Sequence, residues 1–261
     1  MYGAVLGDII GSPYEYDKGE KIKEFELFPP NCMFTDDTVM TVAVAQALLE
    51  AGIDSPGEKI RGELIKTMQR WGRQYICAGY GINFLQWILS EDPKPYGSCG
   101  NGSAMRVSAA AWLCDSLEQV KRIAKYTAEI SHNHPEGIKG AQAVASCIYM
   151  ARTGKKKNDI KDFIEFEYAY DLSKKLDDIR PTYHHIETCQ STVPEAIIAF
   201  LEATGFEDAV RNAVSLGGDT DTTGAIAGSI AEAYYGIPHN LLKECKKRLP
   251  KEFIKILNQY D

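Results

Sequence analysis

Apolar residues in this chain recur every three or four positions in one segment after another, and almost nowhere at every second position. Such spacing lines one face of an α-helix, which turns once per 3.6 residues, whereas a half-buried strand alternates. The stretch "VMTVAVAQALLEAG" is apolar nearly all round and ends on Gly52, which predicts a buried helix closed by a glycine cap. In "SPGEKIRGELIKTMQRWGRQY", Ile60, Leu64, Ile65 and Met68 share a face, and Ser-Pro is a favourable place for a helix to begin. Similar stripes run through "SAMRVSAAAWLC", "SLEQVKRIAKYTAEIS", "PEGIKGAQAVASCIYMARTG", "VPEAIIAFLEATG", "FEDAVRNAVSLG", "TTGAIAGSIAEAYYG" and "KEFIKILNQY". The segment "PTYHHIETCQ" is the one weak candidate strand. No repeat of roughly 20–50 residues emerges, which argues against a solenoid. The sequence therefore predicts an all-α fold, a single domain over residues 1–261, with "TGKKKNDIKDF" a polar connection between helices.

Charge narrows the function. With 29 basic and 36 acidic residues the chain carries a formal charge of −7, which disfavours nonspecific nucleic-acid binding and adhesion to anionic membranes. The seven cysteines show no Cys-x-x-Cys pair, as expected of reduced thiols rather than a disulfide framework or a zinc site. The first residues carry no basic leader and meet Asp8 early, and no apolar run reaches membrane-spanning length. A soluble, cytoplasmic protein is expected.

Two short stretches exceed what structure alone requires. "FTDDT" holds Thr35, Asp36, Asp37 and Thr38, and "GGDTDTTGA" holds Asp219, Thr220, Asp221, Thr222 and Thr223, each just ahead of a very apolar helix. A helix start needs one capping oxygen, and acidic residues suit its first turn. Either cluster alone is explained as well by capping as by function. Both together hold four carboxylates, which would repel one another if they converged without a counter-charge. Hard oxygen donors, with no His or Cys among them, select Mg²⁺, Mn²⁺ or Ca²⁺ over zinc, and two clusters suggest two ions. Glu15, in "GSPYEYD" after the Gly-rich "GAVLGDIIGSP", reads alone as a turn glutamate; beside a metal it becomes a proton carrier.

The fixed order of "GAVLGDIIGSPYE", "FTDDTVMTVAVAQAL", "GYG", "GNGSAMR", "SHNHPEG" and "LGGDTDTTGAIAGSIAEAYYG" resembles the ADP-ribosylglycohydrolase family. The resemblance runs from Gly3 to about Pro238 and implies an all-α orthogonal bundle with a binuclear Mg²⁺ or Mn²⁺ cleft. On this chain it implies Thr35, Asp36, Asp37, Asp219, Asp221 and Thr222 as metal ligands, and Glu15 as the family's mobile glutamate. It implies Gly79, Gly81, Ser98, Cys99, Gly100, Asn101 and His132 as the substrate-binding set, Cys99 standing where some relatives carry an aromatic residue. Met105 and Arg106 are read as core and structural positions, and His184 and His185 as without function.

The implied reaction cleaves the bond between the anomeric carbon of ADP-ribose and a modified acceptor, where oxocarbenium character develops. Glu15, Asp36 and Asp37 are the candidates for proton transfer, and glycine N–H groups suit a diphosphate held in an acidic protein. The expected partner is the ADP-ribose moiety of a protein or small molecule, arginine-linked by slight preference, serine-linked and O-acetyl forms remaining open. The alternative is a noncatalytic ADP-ribose-binding module of the same fold.

Overall fold

A computed structural model describes residues 1–260, and among them every regular element is helical. The α-helices are α1 (Tyr2–Gly11), α2 (Asp36–Ala51), α3 (Gly57–Gln74), α4 (Ile82–Leu89), α5 (Gly102–Met105), α6 (Ser108–Leu113), α7 (Leu117–Glu129) and α8 (Pro135–Arg152). They continue with α9 (Lys157–Tyr168), α10 (Leu176–Ile179), α11 (Cys189–Glu202), α12 (Phe206–Val214), α13 (Thr220–Tyr235), α14 (His239–Lys247) and α15 (Lys251–Leu257). The all-α expectation holds. No helix is long and apolar enough to cross a membrane.

Two local readings need correction, and one segment left unassigned gains a structure. "PTYHHIETCQ" forms no strand: Thr188 makes an isolated antiparallel bridge to Gly100, and α11 begins at Cys189. A strand needs a neighbour to satisfy its backbone, and here the pairing stops at two bonds, Asn101 N–H to the Glu187 carbonyl and Cys189 N–H to the Cys99 carbonyl. The polar "TGKKKNDIKDF" is part helix, because α9 starts at Lys157 behind the Asp159 carboxylate, which accepts the Lys156 N–H. The Gly-rich "GAVLGDIIGSP" runs through α1, which is buried along its whole length, and on to Ser12 and Pro13.

That buried helix sets the geometry of everything near it. Gly3, Gly7 and Gly11 recur every fourth residue and so form one stripe of α1. A Cβ on Gly7 would stand 1.9 Å from the Gly224 carbonyl oxygen, one on Gly3 2.3 Å from that of Gly228, and one on Gly11 2.2 Å from that of Thr220. Backbone thus lies against backbone along α1 and α13, in antiparallel sense. At one end Glu232 of α13 accepts the N–H groups of Tyr2 and Gly3 at 3.1 and 2.8 Å, capping α1. At the other, the end of α1 and the Glu15 turn meet the start of α13. Helix α13, buried from Thr220 to Ala231, also packs on α8, α11 and α12.

One side chain of α1 fastens the start of helix α2. Asp8 of α1 accepts the N–H and hydroxyl of Thr35, at 3.0 and 2.9 Å, and those of Thr38, at 3.0 and 2.5 Å. The N-terminus of α2 is thereby fastened beside that of α13. As expected, α2 closes on Gly52, with φ +77° and its N–H on the Leu48 carbonyl.

Candidate active site

The two acidic clusters are brought together. Thr222 donates its hydroxyl to Asp37 Oδ2 at 3.1 Å, although 185 residues separate them. Asp36, Asp37, Asp219, Asp221 and Thr222 line one cavity of about 470 Å³, together with Glu15. Carboxylate oxygens of Glu15, Asp219 and Asp221 all lie within 4.8 Å of one another.

Capping does not account for these carboxylates. Thr35 is the N-cap of α2 and accepts the Asp37 N–H, so neither Asp36 nor Asp37 is needed for that purpose. Asp219 is the N-cap residue of α13, yet its side chain caps nothing and accepts from Asn101 Nδ2 at 2.6 Å instead. Asp37 Oδ1 is buried with no hydrogen-bond partner. Burial first, then the repulsion of Asp221, push Asp36, Asp37 and Asp219 well above the usual carboxylate range. Asp8 and Glu15 are raised to about 7 by the same two causes in the same order. An orphaned oxygen and crowded carboxylates that form no ion pair among the described residues fit a divalent metal ion, because a cation relieves both burial and repulsion. The threonines divide by role: Thr220 and Thr223 bond back to the Gly11 and Asp219 carbonyls, and only Thr222 faces the cavity.

The Glu15 turn is clipped to the second cluster. Tyr16 N–H donates to the Gly218 carbonyl at 2.9 Å, and Gly218 N–H donates to Asp17 Oδ1 at 2.8 Å. Tyr16 and Asp17 both adopt positive φ, +63° and +56°, a strained backbone for side-chain-bearing residues. Positive φ at Gly217 and Gly218 lets the opposing chain come equally close.

The remaining sequence-predicted residues divide as follows. Gly79, Gly81, Ser98, Gly100, Asn101 and His132 line the cavity. Asn101 spans to Thr192 at 3.0 Å as well as to Asp219, and Ser98 Oγ accepts the Gly100 N–H. Thr35 stands behind the wall, holding Asp8. Cys99 is half-buried off the wall, its carbonyl accepting the Cys189 N–H. Met105 and Arg106 are buried as expected but also face the cavity, so their reading as core positions is incomplete. His185, read as without function, packs against Tyr16 with tilted rings whose centres are 4.5 Å apart, and pairs with Glu187, which lines the cavity. Sequence reasoning also passed over Asp8, Tyr16, Tyr80, Phe84, Tyr96 and Glu187.

The profile of the family described as ADP-ribosylglycohydrolase matches residues 1–259. The chain belongs to the ADP-ribosylglycohydrolase family. Members of this family are hydrolytic enzymes, and the chain is read as one. Its relatives include the ADP-ribosylhydrolase ARH3 of Homo sapiens, 25% identical across 94% of this chain and 88% of that protein. The ADP-ribosyl-[dinitrogen reductase] glycohydrolase of Rhodospirillum rubrum is 24% identical over 96% of this chain and 90% of its own length. A solved structure titled ADP-ribosylglycohydrolase-related protein complex superposes with a TM-score of 0.75 at 23% identity, covering 99% of this chain and 94% of the other. That likeness supports the all-α ADP-ribosylglycohydrolase fold.

Proposed function

We propose that this protein hydrolyses the glycosidic bond between ADP-ribose and a modified acceptor, with two Mg²⁺ or Mn²⁺ ions held between the N-termini of α2 and α13. The observation that carries the reading is the convergence of the two acidic clusters on one cavity, with Asp37 Oδ1 left unpartnered. Asp36, Asp37, Asp219, Asp221 and Thr222 would hold the ions, with Thr35 behind them capping α2 and holding Asp8. What such ions supply is Lewis acidity, which lowers the pKa of water and grips sugar hydroxyls.

The chain's own groups do the rest. Glu15, half-buried and raised to about 7, is the group suited to pass a proton at neutral pH, either to the departing acceptor or from water. Asp36 and Asp37 are the alternative acceptors of that proton. N–H groups of Gly79 and Gly81, with Ser98, Gly100, Asn101 and His132 around them, would form the cradle for the diphosphate and its ribose, with Cys99 backing it from off the wall. Fixing the sugar against Glu15 turns attack into a nearly unimolecular event.

The mouth beside Glu15 favours an arginine-linked acceptor. Glu187 lines it, and the exposed ring of Tyr16 has the Lys18 ammonium 5.1 Å from its centre, the stance a guanidinium would take. Incubation with ADP-ribosyl-arginine, ADP-ribosyl-serine and O-acetyl-ADP-ribose, each with and without Mg²⁺, tests the reading. Mg²⁺-dependent release of ADP-ribose, fastest from the arginine conjugate, is expected. Tight ADP-ribose binding with no turnover of any conjugate would establish the noncatalytic binding module instead.

A further inference from the structure

Arg106 lies in the turn between α5 and α6, fully buried, and forms no ion pair among the described residues. Its Nη2 donates to the Thr127 carbonyl at 3.1 Å and to Ser131 Oγ at 2.8 Å; Nε and Nη1 have no hydrogen-bond partner, and the guanidinium carbon lies 5.2 Å from the centre of the Phe84 ring. A buried charge without a counter-ion is costly, and this one is placed at the wall of the cavity. Among the cavity's lining residues it is also the one permanently charged cation, set against six carboxylates.

The Ser131 hydroxyl carries the effect further. Ser131 Oγ lies 2.8 Å from His132 Nδ1. Arginine can only donate, so Ser131 Oγ accepts from Arg106 and keeps its own proton to give. If Nδ1 carried a hydrogen, that serine proton would be buried with no acceptor. The fully satisfied arrangement has Ser131 donating to Nδ1, which places the ring hydrogen on Nε2. Nε2 faces the cradle: it lies 3.4 and 3.2 Å from where a Cβ would stand on Gly100 and Gly102. The ring is held there by Phe84 and Tyr96, with centres 5.9 and 5.6 Å away, and its backbone by the His132 N–H on the Ala128 carbonyl.

We propose that Arg106 and Ser131 are positioning residues that fix His132 as a neutral Nε2–H donor, aimed at a phosphate of the ligand beside Gly100 and Gly102. The phosphate assignment rests on the function proposed above; the relay does not. Burial, and then the positive charge of Arg106, hold His132 well below the usual imidazole range, in keeping with a neutral ring. The fixed tautomer matters because a phosphate oxygen accepts hydrogen bonds, and the other tautomer would turn a lone pair toward it.

Nitrogen-15 NMR of histidine-labelled full-length protein at pH 7, with the His132 signal assigned from its loss in His132→Asn, reads the tautomer directly. The wild-type ring is expected as neutral Nε2–H. Ser131→Ala is expected to give mixed tautomers and about tenfold weaker ADP-ribose binding, the worth of one hydrogen bond to an ion. KM for the conjugate should rise in step while kcat changes less than about twofold, and Ser131→Thr, which keeps the hydroxyl, should restore both readouts. A role confined to packing would lower thermal stability without moving the tautomer. An Nδ1–H or doubly protonated ring in the wild type, or Ser131→Ala with unchanged tautomer and affinity, would overturn the proposal. An Nε2–H ring lost in Ser131→Ala, in a protein that binds no ADP-ribose, would uphold the relay and sink the functional reading instead.

Discussion

Asp8 sits behind the cavity wall and still decides where the first acidic cluster lies. Its four hydrogen bonds from Thr35 and Thr38 leave no other partner for the two N–H groups at the start of α2. Asp8→Ala strands those donors in a buried position and is expected to cost about 2–4 kcal/mol in urea unfolding. A loss below about 1 kcal/mol would mean that α2 is placed by other contacts. Glu15→Ala should behave differently, because the Glu15 side chain faces the cavity and holds no helix. Affinity for ADP-ribose is expected to persist while kcat falls by about 10²-fold or more, the scale of a lost proton-transfer group. Parallel loss of affinity and turnover would reassign Glu15 to binding. The sequence exposed the paired aspartates because their density exceeded any capping need. Asp8 and Arg106 left no such trace, since a lone charge in an apolar run shows its purpose only when its partners are known.

Among the elements, helices with a clean stripe were legible and helices made of glycine were not. Helix α2 could be read to its final cap, whereas α1 went unassigned, because glycine is a poor helix former and α1 gains its order from α13. That dependence is testable by comparing two glycines. Gly7→Ala places a methyl 1.9 Å from the Gly224 carbonyl oxygen, so the helices must separate, and the whole site with them. Gly62 in α3 has nothing within 4 Å of the same position. Gly62→Ala is expected to gain about 0.5–1 kcal/mol by helix propensity. Gly7→Ala is expected to lose at least about 2 kcal/mol by overpacking and to weaken Mg²⁺ binding as well. Equal effects from the two substitutions would show that α1 and α13 are not held at backbone contact. The candidate strand failed for a related reason: its pattern was visible, but whether a partner lies alongside is a property of the fold.

For the molecule as a whole, the collected carboxyls make stability depend on pH and metal together. Asp8 and Glu15 hold protons up to about pH 7, and Asp36, Asp37 and Asp219 are pushed upward too, whereas carboxyls in the unfolded chain ionise near pH 4. From about pH 4 through neutrality the folded state therefore binds more protons than the unfolded state, and its stability falls as pH rises. His132 acts in the opposite sense. Its depressed pKa removes stability as pH falls below about 6.5, but one imidazole does not reverse five carboxyls. Glu195, raised to about 7 by burial away from the cavity, adds to the fall and lies beyond the reach of a bound ion. Metal-free protein should thus melt at its highest temperature near pH 5 and progressively lower toward pH 8. Millimolar Mg²⁺ or Mn²⁺ should recover most of that loss at pH 8 and little at pH 5, because a cation binds the ionised cluster and only in the folded state. Asp37→Asn with Asp221→Asn should make the metal-free slope shallower, leaving the part that burial of Asp8, Glu15 and Glu195 causes, and should abolish the metal's effect, since these two carboxylates contribute to both. A metal-free melting temperature that stays level or climbs from pH 5 to pH 8, or a fall that neither ion reverses, would show that these carboxyls are not the paired burden the cavity describes.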